Sequence, residues 1–377
     1  MTSPDVCLIV PTVRQPTCVR AYYANARQHN FDLSRIQTIL ITENECDTRE
    51  MREILKSEGV SGEVFDHSGR LRWFGEHKVE RFRDLIPRHS HAETSFGLLY
   101  VEAEPQYKFG IFVDDDTEPI GRHDFFGTHL RNLEQRQKIS RITSDTRWVN
   151  VLHNGFSRHR LYPRGFPYSM TGEKISVNEG EVEEAVLSQG LWTNIPDLDA
   201  VRILCQGDLE GQSKTHTMEA DFGDAFSVAG GNYVTVSSMN LAFKREIIPA
   251  FYQLPMDDNP WCIGRFDDIW SGVFLKKIAD LKGREIVCGL PLCRHNKARR
   301  STFKDLRAEA PGLELNEHLW RIIDKFELEG DWLEMYRTLA RLLMRDAPTL
   351  PFLARDFLSY CARAMSSWTE CCEALSV

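Results

Sequence analysis

No CxxC pair occurs in the 377 residues, although ten cysteines are present. That absence argues against a zinc ribbon or a thioredoxin-like redox centre. No apolar run approaches the ~20 residues of a membrane-spanning helix. Residues 1–5 lack the basic and long apolar regions of a signal peptide. The expectation is a cytoplasmic protein with reduced cysteines and no membrane span. Positive charge is not in excess either: the formal net charge is −9. Nucleic-acid binding needs a basic footprint, so no nucleic acid is expected as a partner. Internal repeats and low-complexity segments are also missing.

What is present is ordinary globular composition, 42% hydrophobic and 27% charged. That is enough to bury a sizeable core. The length exceeds one ordinary domain and suits a large α/β domain with an appendage. The run Val6-Cys7-Leu8-Ile9-Val10 is apolar throughout and closes on Pro11-Thr12. A strand buried on both faces reads this way. Cys7 and Cys288 both lie in such runs and read as small core residues. A helix over 16–30, a strand over 36–42, a helix over 48–57 and a strand over 63–65 continue the pattern. This alternation predicts a parallel sheet with crossover helices.

The apolar run 108–113 predicts another strand, leading directly into Asp114-Asp115-Asp116. Ligands of open α/β sheets bind beyond the carboxyl ends of the strands, so a site is expected at this triplet. Segment 140–235 mixes short β-like runs with Gly and Pro turns. A helix is predicted from Asp267, with Ile269, Trp270, Val273, Phe274, Ile278 and Leu281 at helical spacing and Gly283 as its stop. Residues 285–290 read as a strand ended by Pro291. Past 311 come three amphipathic, Leu- and Trp-rich stretches, 316–328, 331–346 and 351–368. The expected division is a main domain over 1–310 and a helical appendage over 311–377. That appendage packs on the main domain or on a partner, a second copy of the chain included.

Several groupings can carry chemistry. Alternate residues of an extended segment share a side, so Asp114 and Asp116 can both face a metal while Asp115 turns away. Carboxylates suit Mn²⁺ or Mg²⁺. The bland reading is a solvated acidic turn. His295 lies just past Pro291, and its neutral imidazole can complete a metal shell. Lys297, Arg299 and Arg300 add charge suited to phosphates. An ordinary basic loop is the alternative. Asp267 and Asp268 stand at a helix start, where one acid serves as a cap. The other is left as a general base or a holder of sugar hydroxyls. Arg158, Arg160 and Arg164 can clamp phosphate or sugar. Trp192, Trp261 and Trp270 can stack on a ring or fill the core.

Taken together, these segments resemble the reversibly glycosylated polypeptide family, which includes the plant UDP-arabinopyranose mutases. The resemblance rests on Val10-Pro11-Thr12-Val13-Arg14, the acidic triplet and Arg164-Gly165-Phe166-Pro167-Tyr168-Ser169. It extends over the stretch 190–200, Met239-Asn240-Leu241-Ala242-Phe243, the stretch 263–270, Gly289-Leu290-Pro291 and His295-Asn296-Lys297-Ala298. The resemblance implies a GT-A-type glycosyltransferase fold: α/β, a Rossmann-type mixed sheet flanked by helices. It implies a UDP-sugar as ligand and Mn²⁺ or Mg²⁺ as cofactor. Asp114, Asp115 and Asp116 then fall on metal and nucleotide, with Thr12, Arg14 and Lys297 also on the nucleotide side. His295 becomes a further metal ligand, and Asp267 or Asp268 lies near the sugar. The family's glycosylated arginine falls on Ser157, with Arg158 beside it.

The leading expectation is a metal-dependent glycosyltransferase that moves the sugar to an unidentified acceptor, itself included. The alternative is a mutase interconverting pyranose and furanose forms of a UDP-sugar. A non-catalytic, nucleotide-sugar-binding partner subunit is the third reading.

Overall fold

The structure is a computed structural model, and it describes residues 3–152, 160–183, 185–256, 259–350 and 355–376, apart from the side chains at 291 and 292. In chain order the first elements are β1 (Val6–Pro11), α1 (Cys18–Gln28), β2 (Ile36–Ile41), α2 (Thr48–Ser57), β3 (Ser61–Phe65) and α3 (His67–Glu76). Next come α4 (Thr94–Ala103), β4 (Phe109–Val113), β5 (Thr117–Pro119), α5 (Phe125–Glu134), β6 (Gln137–Ser144) and β7 (Trp148–Val149). They are followed by β8 (Ile175–Val182), β9 (Ala185–Asn194), α6 (Ala200–Cys205), β10 (Phe226–Val228), β11 (Tyr233–Val234) and β12 (Asn240–Lys244). The chain closes with α7 (Asp267–Leu281), β13 (Glu285–His295), α8 (Thr302–Asp324), α9 (Trp332–Asp346) and α10 (Arg355–Leu375).

Among the described residues, the strands form an 11-stranded sheet in the order β3-β2-β1-β4-β12-β9-β13-β10-β6-β8, with β5 on β13 off this path. The first four strands are mutually parallel, as the strand–helix alternation predicts. β12 then runs antiparallel to both β4 and β9. The fold is therefore the expected α/β class, a mixed sheet between helices. α2 matches the expected 48–57, and Asp47 caps it by accepting the N–H groups of Arg49 and Glu50.

Two expectations need correction. Pro291 does not end the last strand: β13 continues to His295. Cys288 pairs with Gln189 but Leu292 with Leu191, so the strand bulges between them and takes the proline out of the ladder. Gly289 makes this possible with φ 121°. The second correction concerns the first appendage helix. It starts at Thr302, capped by Ser301, and runs through Pro311. Proline lacks the N–H of a helix interior and reads in sequence as a break. Pro311 cannot donate to the Arg307 carbonyl, and the neighbouring Ala308 carbonyl accepts from the Gly264 N–H at 2.9 Å. The expected boundary at 310 thus falls inside a helix.

The tail is docked on the main body. Trp368 donates its indole N–H to the Ile248 carbonyl at 3.2 Å and stacks on Tyr252. Arg147 makes two bonds of 2.6 Å to Asp324. Buried residues of α8, α9 and α10 belong to the same apolar core as those of the sheet. None of the described helices is long and apolar enough to cross a membrane.

Candidate functional site

A cleft of about 360 Å³ opens at the carboxyl ends of β1 and β4. The residues expected on metal, nucleotide and sugar line it, except Arg158, which with Ser157 lies outside the described residues; Arg160, Arg299 and the three tryptophans do not line it. The topology explains the convergence. β5 pairs with the end of β13, Thr117 opposite His295. The triplet sits directly before β5, so His295 is carried to it across nearly half the chain. Asn296 donates its N–H to the Asp116 carbonyl at 2.7 Å and locks that register.

Asp115 faces β1. Its Oδ2 accepts from the Thr12 hydroxyl at 2.7 Å and from Arg14 Nε at 3.0 Å. Burial raises its pKa, and Thr12 and Arg14 offset part of that shift. Asp114 is more confined. Burial pushes it up to about 7; the charge of His91 acts against this, while Asp116, Asp115 and Asp268 add to it. A carboxyl in that state takes up a cation readily in exchange for its proton.

Asp116 and His295 form the most telling pair. His295 Nδ1 lies 2.8 Å from the carbonyl of Ile195, which only an Nδ1–H can satisfy. Burial lowers the pKa of the ring and favours its neutral form. The lone pair of Nε2 then points at Asp116 Oδ1, 3.7 Å away. That oxygen is buried and has no hydrogen-bond donor among the described residues. Two electron-pair donors facing one another without a proton between them fit a cation. A carbonyl orienting the far nitrogen is the usual support of a histidine ligand. The donor set, carboxylates and one imidazole, suits Mn²⁺ or Mg²⁺. Among the described residues, the grouping that brings three ligand atoms within 4.8 Å of one another is a different one, Glu43, Glu45 and His89. Glu43, however, already accepts from Arg70, Arg88 and the His89 backbone, so its charge is balanced without a cation.

Beyond His295 the cleft turns basic. Lys297 is 8% exposed, and its Nζ is buried without a hydrogen-bond acceptor among the described residues. Burial and the neighbouring Arg265 and Arg300 bring its pKa down to about 8. Arg300 is held by Asp305 at 2.9 Å, and Arg265 by Glu309 at 2.5 Å. Both acids come from α8, so the tail helix supports the cleft.

Asp267 and Asp268 occupy the first turn of α7, where the helix dipole favours carboxylates. Neither is the cap, a position held by Phe266. Asp268 accepts from Arg164 at 3.3 Å and from the Ser238 N–H at 3.3 Å. Arg164 also bonds Asp197 at 2.9 Å and the Arg265 carbonyl. Burial alone would lower its pKa, but Asp197 and Asp268 outweigh that and keep it charged. All five guanidinium donors therefore have protein acceptors. Arg160 pairs with Glu173 instead. Trp192 and Trp270 are buried in the core, and Trp261 packs on Phe357 and Tyr360.

Sequence reasoning missed Asp197, Arg265 and Glu309. The first two sat inside the family-like stretches without an assigned role. Glu309 carries no local signal, because a lone acid in a polar stretch reads as solvated.

The model of the reversibly glycosylated polypeptide family matches residues 8–376. The chain belongs to that family. It is 32% identical over 274 residues to a probable UDP-arabinopyranose mutase 1 of Pisum sativum, covering 72% of this chain and 68% of that one. With UDP-arabinopyranose mutase 1 of Arabidopsis thaliana it shares 31% over 283 residues, 74% of this chain and 71% of the relative. Among solved structures, one similar chain is the glucosyl-3-phosphoglycerate synthase of Mycobacterium tuberculosis, crystallised with Mn²⁺, UDP and glucosyl-3-phosphoglycerate. Its TM-score is 0.40 at 11% identity, over 84% of this chain and 80% of that one. A mannosyltransferase of Pyrobaculum calidifontis with GDP-Man and Mn²⁺ scores 0.38 at 12% identity, over 99% and 86%.

Proposed function

We propose that this member of the reversibly glycosylated polypeptide family is a divalent-metal-dependent enzyme that opens the anomeric C–O bond of a UDP-sugar. The observation that carries this reading is the 3.7 Å approach of His295 Nε2 to Asp116 Oδ1, a buried oxygen with no hydrogen-bond partner among the described residues. Asp114, Asp116 and His295 would hold Mn²⁺ or Mg²⁺, which when bound neutralises charge developing on the departing diphosphate.

The chain's own residues divide the remaining work. Thr12 and Arg14 fix Asp115 at the nucleoside end. Lys297 offers its unpaired ammonium to the diphosphate, with Arg265 and Arg300 beside it. Asp267 and Asp268 accept hydroxyls of the sugar, and one of them takes a hydroxyl proton and returns it. Arg164 positions Asp268 and leaves no donor for the substrate.

The family relatives support the mutase outcome, in which the same sugar changes between pyranose and furanose forms and rejoins UDP. The transferase outcome, foremost in the sequence, is the second reading. The family's name favours it, and Arg158 is its candidate acceptor. Incubation with UDP-arabinopyranose and Mn²⁺, followed by chromatography, is expected to yield the furanose form and to stop in EDTA. Asp116→Asn and His295→Ala are each expected to cost about 100-fold or more in turnover. Turnover that survives EDTA would remove the metal from the reading. UDP release without furanose would favour transfer.

A further inference from the structure

Residues 235–239 connect β11 to β12, and Ser237, Ser238 and Met239 of this segment line the cleft. Its backbone is tied down along its length. The Gln189 side chain, from β9, donates to the Thr235 carbonyl at 3.1 Å and accepts the Ser237 N–H at 3.3 Å. Val236 packs so closely on α7 that a Cβ added at Gly272 would lie 2.5 Å from it. The Ser238 N–H donates to Asp268 Oδ2 at 3.3 Å. The Met239 carbonyl accepts the Asp114 N–H at 3.2 Å, next to the pairing of Asn240 with Val113.

The two serine side chains are not explained by this packing. Ser237 is 6% and Ser238 4% exposed, yet neither hydroxyl has a hydrogen-bond partner among the described residues. A buried hydroxyl without a partner costs free energy until water or a ligand supplies one. The Ser227 hydroxyl of β10 is sealed from solvent, whereas those of Ser237 and Ser238 are not, and both residues line the cleft. A rigid segment that holds two open hydroxyls against a cleft is preorganised for a polar ligand.

Sheet order fixes which part of the cleft they occupy. β4 stands between β1 and β12. β1 runs parallel to β4 and β12 antiparallel, so the end of β1, the end of β4 and the start of β12 lie side by side. Thr12 and Arg14, past β1, engage Asp115 from one side of the triplet. Ser237, Ser238 and Met239, before β12, flank it on the other side and are bonded to Asp114 and Asp268. With the nucleoside at Thr12 and Arg14 and the diphosphate at the triplet, the sugar falls on the β12 side.

We propose that Ser237 and Ser238 bind the sugar ring of the nucleotide-sugar, each hydroxyl pairing with a hydroxyl of the ring. The proposal rests on the UDP-sugar reading above. A serine hydroxyl both donates and accepts, so it pairs with a sugar hydroxyl in either sense. Because the Ser238 N–H also holds Asp268, the same short segment orders a carboxylate and two hydroxyls around one ring.

Calorimetric titration with UDP and with UDP-arabinopyranose at fixed Mn²⁺ tests this on Ser237→Ala, Ser238→Ala and the double variant. Each single variant is expected to weaken UDP-arabinopyranose about fivefold, the loss of one hydrogen bond, and the double about twentyfold. The Kd of UDP should not change. The thermal midpoint of the ligand-free protein should hold or rise, because a partnerless hydroxyl is removed. Equal weakening of UDP and UDP-arabinopyranose would put the hydroxyls on the nucleotide and overturn the proposal. Unchanged affinity for both ligands in the double variant would overturn it as well. So would a lowered midpoint in both single variants, which would mark the hydroxyls as structural. A wild-type protein that binds neither UDP nor UDP-arabinopyranose would instead bring down the function itself, and the sugar contacts with it.

Discussion

Lys297 shows what a single residue concedes to function. A buried ammonium without a hydrogen-bond acceptor costs stability, because the charges of Asp197 and Asp305 offset only part of its desolvation. Lys297→Met is therefore expected to raise the unfolding free energy of the ligand-free protein by about 1 kcal/mol and to weaken UDP binding about tenfold. Thermal unfolding and UDP titration on the same preparation check both signs. A variant that loses stability would mean that Lys297 has an anionic partner in the folded chain. At this scale the sequence was informative wherever charge collects at a strand end: the triplet, His295 and Lys297 all reach one cleft. It was silent on Asp197 and Glu309. The importance of each comes from an arginine far along the chain. No local pattern distinguishes such an acid from a solvated one.

Elements with a strong period were legible. β1, β2 and α2 follow directly from their apolar spacing, and α7 begins at Asp267 and stops before Gly283. Segment 140–235 was not. There β6 and β8 are half-exposed partners at one edge of the sheet, while β9 is almost wholly buried. One segment thus mixes opposite burial patterns. The long reach of β13 was hidden by Pro291, since a proline reads as a stop unless a bulge is foreseen. The bulge is what allows one strand to begin in the core and end in the cleft beside Asp116. Gly289→Val places a Cβ 2.6 Å from the Ala225 backbone at a φ of 121°. It is expected to cost about 3 kcal/mol, read by denaturant unfolding. It should also reduce metal-dependent turnover more than UDP binding, because His295 is displaced. An unchanged midpoint would show that the bulge re-forms without the glycine.

Across the whole molecule, the helical tail is part of the site's foundation rather than an accessory. Glu309 accepts from the Ala200 N–H at 2.6 Å and from Arg265 at 2.5 Å, tying α8 to α6 and to the basic side of the cleft. Glu309→Ala leaves a buried arginine short of its counter-charge and is expected to cost about 3 kcal/mol. UDP binding should weaken in step, although residue 309 does not line the cleft. A variant of native stability and native affinity would show that α8 merely sits beside the site.

The mixed charge of the cleft has a kinetic meaning. It is lined both by the carboxylates of the triplet and by Lys297, Arg265 and Arg300. A diphosphate arriving at the bare cleft meets attraction and repulsion together, in surroundings where water screens little. On the proposed function, Asp116 and His295 would hold a cation that offsets this repulsion and favours the anion. The layout thus favours a compulsory order of arrival, cation before nucleotide. In that order nucleotide on-rates saturate with metal concentration, and the cation is the last to leave.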